Sequence, residues 1–209
     1  MRFKEFVQKD THQLDEINLK QAVAAGIIGA ASLGFGGKVH AQHMSPKEQY
    51  KHDLSQSIAQ YYRVDGDMVK RVVELAHKYE NKVWPKAKDL IALTGVESSF
   101  NPNAKSGLKK DPALGLLQVR PGVWKINPSQ LADMENQIKY GSDILSFYYK
   151  KFKGDKDAAL SAYNIGETAY RKFGDRPEYL QKYYNELQRQ HAARLNYKID
   201  RLQALKQKR

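Results

Sequence analysis

Cysteine is absent from all 209 residues, which excludes disulfides and thiolate metal sites and leaves the redox compartment open. Histidine is scarce, with six in the chain, and none stand in HxxxH or HExxH spacing, so no catalytic metal is expected. Neither a Walker-type phosphate loop nor a GxGxxG stretch occurs, so nothing points to a nucleotide or other cofactor. No long repeat and no sustained strand alternation is present, and the reading that remains is a mainly α fold. Acidic residues are outnumbered 35 to 23 by lysine and arginine, for a net charge of +12. That balance favours an anionic partner, whether nucleic acid, anionic lipid or an acidic cell-wall polymer, and does not choose among them.

A long hydrophobic run is also missing. The nearest approach, Gln21 to Gly37, has 17 uncharged residues but five glycines, short of the roughly 20 strongly apolar residues a spanning helix needs. Val39 and Ala41 occupy the minus-three and minus-one places of a small-residue cleavage site, so residues 1–41 read as a secretory leader. The near-neutral first 20 residues argue against this, and a weak membrane segment or a partner-binding helix are the alternatives. Cleavage would remove five basic and four acidic residues and leave the chain strongly basic.

Residues 42–66 are polar and end in an Asp-Gly turn signal, which reads as a linker with at most one short helix. Asp67 is a candidate cap for a helix with Met68, Val72, Leu75, Ala76 and Tyr79 on one face. Trp84-Pro85 opens the next helix. A further helix is expected over 129–152, with Leu131, Met134, Ile138, Ile144, Leu145, Tyr148 and Phe152 inward, and another from about Asp157 to Gly166. Residues 178–209 form a basic amphipathic helix with Tyr184, Leu187, His191, Leu195, Ile199 and Leu202 on one stripe. Such a helix binds polyanions, or packs on the domain as a solvated face.

The residue that does not fit its surroundings is Glu97. Stepping back by threes and fours reaches Thr94 or Leu93, then Leu90 and Ala87, the apolar stripe of a helix. Asn101-Pro102 forces that helix to end near Ser99, which places Glu97 in its last turn. Burial and the helix dipole both disfavour a negative charge there, so the carboxyl should be protonated near neutrality, as a general acid requires. Taken singly, such a Glu is more often a structural ion-pair partner.

Four stretches occur in a telling order: ESSFNP (97–102), Ser106, ALGLLQ (113–118) and AYNIG (162–166), supported by KYGSDILSFYYKKFKGD (139–155). Together they resemble the soluble lytic transglycosylase (SLT) domain family, which has a lysozyme-like fold. The likeness divides the chain into the leader (1–41), a linker (42–65), an SLT domain (66–177) and the basic helix (178–209). It implies non-hydrolytic cleavage of the MurNAc–GlcNAc bond of peptidoglycan with a 1,6-anhydromuramic product, and Glu97 as the single acid and then base. It further implies that the Tyr163 hydroxyl points at the catalytic carboxyl, that Gln118 and Asn164 line the sugar cleft, and that Ser106 lies near the reacting sugar. For Ser106 a turn hydroxyl, and for Asn164 a helix C-cap, are the plainer readings.

Two stretches depart from the family pattern. The Ser106–Gly115 stretch is longer than usual, and Arg120-Pro121 stands where a methionine-proline pair is common. Arg120 is expected to point into solvent. Asp111 is the one acid of that loop available as a second carboxylate, which would make the enzyme a hydrolysing muramidase. A non-catalytic glycan-binding or polyanion-binding module is the other alternative. Export to the periplasm or cell wall is the expected location, with a phage virion component as the alternative, and the oligomeric state is left open.

Overall fold

Several helices in the computed structural model begin at side chains that satisfy orphan backbone groups. The structure describes residues 44–207; the leader reading and its Val39–Ala41 motif lie outside them. Helix α1 spans Pro46–Tyr62 and fills most of the stretch read as a linker. Its start is a capping box in which Glu48 N donates to Ser45 Oγ (3.3 Å) and Ser45 N to Glu48 Oε2 (2.8 Å). The weak apolar pattern hid it, because only Leu54 and Ile58 are large buried apolar anchors on its face.

Helix α2 (Gly66–Tyr79) is capped by Asp65, not Asp67, whose Oδ1 accepts from Met68 N at 2.7 Å. Helix α3 (Ala87–Ser98) begins where Asp89 accepts from Lys86 N at 2.8 Å. Leu90 through Gly95 are all buried, so this helix is enclosed on nearly every side rather than along one stripe. Ser99 (φ 52°) and Phe100 (φ 62°) then turn left-handed in succession. That conformation is unfavourable for residues with a Cβ, and the complete burial of Phe100, of the order of 2 kcal/mol for such a ring, helps to hold it.

Next come α4 (Pro121–Trp124), a 3-10 turn (Pro128–Ala132) and α5 (Met134–Lys151). Then follow α6 (Lys156–Ile165), started by Asp155 Oδ1 accepting from Asp157 N and Ala158 N, α7 (Glu167–Phe173) and α8 (Pro177–Gln207). Among the described residues there is no strand, only two isolated bridges, Lys105 with Leu114 and Leu114 with Val119, in the loop after α3. No helix among them is long and apolar enough to cross a membrane.

Helix α3 lies at the centre, contacted by α2, α5 and α8, while α8 also packs on α1 and α6. The buried face of α8 carries Tyr179, Tyr183, Glu186 and Gln190; of the expected stripe, Tyr184 and Leu187 pack partly buried against the core, whereas Ile199 is half exposed. The apolar pattern misplaced this face because α8 buries hydroxyls and amides that answer polar groups of its neighbours.

Candidate active site

Glu97 occupies the last full turn of α3, half-buried, with its carboxylate Oε1 accepting a short hydrogen bond from the Tyr179 hydroxyl. Burial pushes its carboxyl up to about 7, and the Tyr179 bond pulls the other way without reversing that. The carboxyl therefore exists in both protonation states near neutrality, the condition under which one group can give and then take a proton.

Tyr163, on α6, does not hold that carboxyl. Its hydroxyl donates to the Leu117 carbonyl at 2.5 Å, so the expected contact with Glu97 is made by Tyr179 instead. Tyr163 remains close enough to feel Glu97: burial first, and then the Glu97 and Tyr148 charges, push its phenol well above the usual value. Its bond ties α6 to the ALGLLQ turn.

That turn is held from beneath. Gln118 has φ 48°, and its Nε2 donates to Ala104 O (3.2 Å) and Gly115 O (3.0 Å). The buried side chain of Gln137, from α5, accepts from Leu116 N (2.8 Å) and donates to Leu131 O (2.8 Å) and Pro102 O (3.0 Å). Gly115 sits over it at φ +74°, where a Cβ would lie 2.2 Å from Gln137 Cδ. Only glycine allows both the turn and this approach.

Ser106 closes the preceding loop by pairing with Ala113: its N donates to Ala113 O (3.0 Å) and its Oγ accepts from Ala113 N (2.8 Å). Asn164 is exposed in the last turn of α6. It is not the C-cap, because Gly166 (φ +82°) takes that position, with its N donating to Ala162 O at 2.8 Å.

Asp111 is engaged in structure. Its Oδ1 accepts from Gly122 N at 2.8 Å in the first turn of α4, and its Oδ2 lies 3.3 Å from Arg120 Nε. Arg120 is exposed, as expected, and also pairs with Asp111, an arrangement that staples the loop to the start of α4.

Sequence reasoning passed over Tyr179 and Gln137. For Tyr179 the signal was present in Tyr179 and Tyr183, one helical turn apart on a single face. For Gln137 it was an uncharged polar residue beside Ile138 in an otherwise apolar stripe.

The profile of the transglycosylase SLT domain matches residues 74–186, more than half of the chain. The soluble lytic murein transglycosylases of Escherichia coli K12 and Salmonella typhimurium are each 32% identical over 87 residues, which cover 36% of this chain and 13% of theirs. The chain thus matches only a small part of the length of these relatives. The crystal structure of the 70 kDa soluble lytic transglycosylase Slt70 from Escherichia coli superposes with a TM-score of 0.46 and 20% identity, covering 76% of this chain and 31% of that one. On the profile match, the chain belongs to the transglycosylase SLT domain family.

Proposed function

We propose that the protein is a peptidoglycan lytic transglycosylase in which Glu97 acts first as acid and then as base. The observation that carries this reading is the half-buried Glu97 carboxyl, raised to about 7 by burial and oriented by the Tyr179 hydroxyl. Relatives over part of the chain are soluble lytic murein transglycosylases by name, and the reading extends that activity here.

In this mechanism the Glu97 proton passes to the glycosidic oxygen between muramic acid and glucosamine as the C1–O bond breaks. The muramic 6-hydroxyl closes on C1, and the Glu97 carboxylate takes the hydroxyl proton. The product is a 1,6-anhydro ring, no water is consumed, and the proton returns to its source. Attack from within the same sugar has a high effective molarity, so one carboxyl suffices where hydrolases place two. The engagement of Asp111 with Gly122 and Arg120 favours this one-acid scheme over a muramidase.

Among the other residues, Ser106 accepts from Ala113 N through its Oγ and keeps its hydroxyl proton for a sugar oxygen. Exposed Asn164 offers amide contacts at the cleft. The Gln118 amide nitrogen is committed to the turn, so Gln118 shapes the cleft wall more than it grips sugar. Export to the periplasm or wall accompanies this activity. The long helix α8 packs on α1, α3 and α6, so any polyanion contact falls to its later turns.

Mass spectrometry of the fragments released from purified peptidoglycan tests the reading. Anhydromuramic ends that vanish with Glu97→Gln support it; reducing ends would replace it with the muramidase.

A further inference from the structure

Around Gly95 of α3 lies a second cluster that the reaction does not use. Gly95, two residues before Glu97, has no side chain because there is no room for one: a Cβ would stand 2.4 Å from Tyr62 Oη and 2.5 Å from Glu186 Oε1. Glu186, buried on α8, accepts from Gln190 Nε2 (2.6 Å) and Arg189 Nε (2.7 Å), with a second, shorter contact from Arg189 Nη2. Gln190 also donates to Ile91 O of α3 at 3.3 Å. The Arg189 guanidinium spreads over two rings of α1, 3.6 Å from the Tyr61 centroid and 4.8 Å from that of Tyr62. Three helices meet here, and Tyr61, Tyr62, Arg189 and Gln190 all lie outside the stretch matched by the family profile.

Geometry gives this cluster a consequence at the site. Tyr179 and Glu186 are carried by one rigid helix and touch α3 at Glu97 and Gly95 respectively. A slide or rotation of α8 that relaxes the contact at Gly95 must also move the Tyr179 hydroxyl against Glu97. Cores and ion-paired contacts of this kind hold discrete arrangements and resist gradual deformation.

We propose that the Glu186–Arg189 pair, braced by Tyr61 and Tyr62, is a positioning device that fixes the register of α8 on α3 and so maintains the Tyr179–Glu97 hydrogen bond. Arg189 is a positioning residue and touches no reacting atom. The two titratable side chains facing Glu97 from its packed neighbours are Tyr179 of α8 and Tyr163 of α6; Glu186 faces Tyr62 of α1.

The test is the titration of Glu97 itself, followed by carbon-13 NMR in full-length protein labelled at glutamate side chains, which does not depend on the reaction assigned above. Tyr179 favours the carboxylate form, so Tyr179→Phe raises the Glu97 midpoint, and Arg189→Met is expected to raise it too, by about half a unit or more. The double variant should titrate like Tyr179→Phe, because two changes acting through one contact do not add. Arg189→Lys, which keeps the charge without the two-pronged fit, should fall between. Gly95→Ala pushes on the same contact from the α3 side and should shift the midpoint in the same direction, which covers the case in which Arg189→Met does not fold. A lower melting temperature with an unmoved midpoint in the folded variants, or full additivity with Tyr179→Phe, would overturn the proposal.

Discussion

The hydroxyl of Tyr179 donates to the carboxylate of Glu97 across 82 positions of sequence. On the next turn of the same helix, Tyr183 donates to the buried Asp89 at 2.5 Å. One face of α8 therefore grips α3 at its first and last turns, and Tyr184 reaches Asp157 of α6 at 2.5 Å. The C-terminal helix is thus part of the framework that presents Glu97.

Removing the phenol tests the orienting role. Tyr179→Phe deletes the hydroxyl and keeps the ring, so its packing survives while Glu97 loses its one described hydrogen bond. The expected result is a fall in kcat of about ten-fold to a hundred-fold, the range one transition-state hydrogen bond spans, with a much smaller change in KM. A change confined to KM would mean that Tyr179 contacts the glycan instead.

Glu97→Gln removes the transferable proton and preserves the shape. Release of anhydromuropeptides should drop by about 10² to 10⁴, the usual share of a general acid. The melting temperature at neutral pH should hold or rise, since a half-buried carboxylate is replaced by a neutral amide.

Glu97 was legible because a carboxylate on an apolar stripe just before Asn-Pro contradicts its surroundings, and the order of four short motifs made that contradiction interpretable. The helices expected over 129–152 and from about Asp157 to Gly166 were legible from apolar spacing, although they begin later and earlier than expected, at Met134 and Lys156, where Asp133 and Asp155 cap them. What escaped was polar: α1 anchors itself on few large apolar residues, and the inner face of α8 is built of Tyr, Glu and Gln. Hydrophobic periodicity does not register a face whose burial is compensated by hydrogen bonds to partners far along the chain. The Tyr163 contact was misassigned for a related reason, since spacing places a residue near the site and does not say which acceptor its hydroxyl selects.

The turn held by Gln137 should be sensitive to small changes. Gly115→Ala puts a Cβ within 2.2 Å of Gln137 Cδ at φ +74°, and a loss of roughly 2 kcal/mol or more is expected from strain and overpacking together. Gln137→Leu leaves the Leu116 amide without its partner and should lose about 1–3 kcal/mol. Denaturant midpoints measure both, and the Glu97 midpoint should move little in either if the turn does not orient that carboxyl.

Asp111→Asn separates the two glycosidase schemes. A capping role predicts a small loss of stability and an unchanged anhydro product, because the amide oxygen still accepts from Gly122 N. A second-carboxylate role predicts loss of turnover. Product analysis of this one variant therefore discriminates where the rate of the wild type does not.

The pH dependence of stability has a sign fixed by Glu97. Its carboxyl is raised from 4.5 to about 7 in the folded chain, so the folded state binds a proton more tightly than the unfolded chain does. Its contribution is fully present below about pH 4.5, declines as pH rises towards 7, and is lost above it. Activity should follow the same limb, with kcat/KM falling above about pH 7 as the acid form disappears. The difference in unfolding free energy between wild type and Glu97→Gln, measured from pH 4.5 to 8, isolates this group from the other carboxylates. Wild type should lose stability relative to the variant as pH rises through that window. A flat difference would mean that the carboxyl has an ordinary affinity for its proton, and that burial does not sustain an acid at this position.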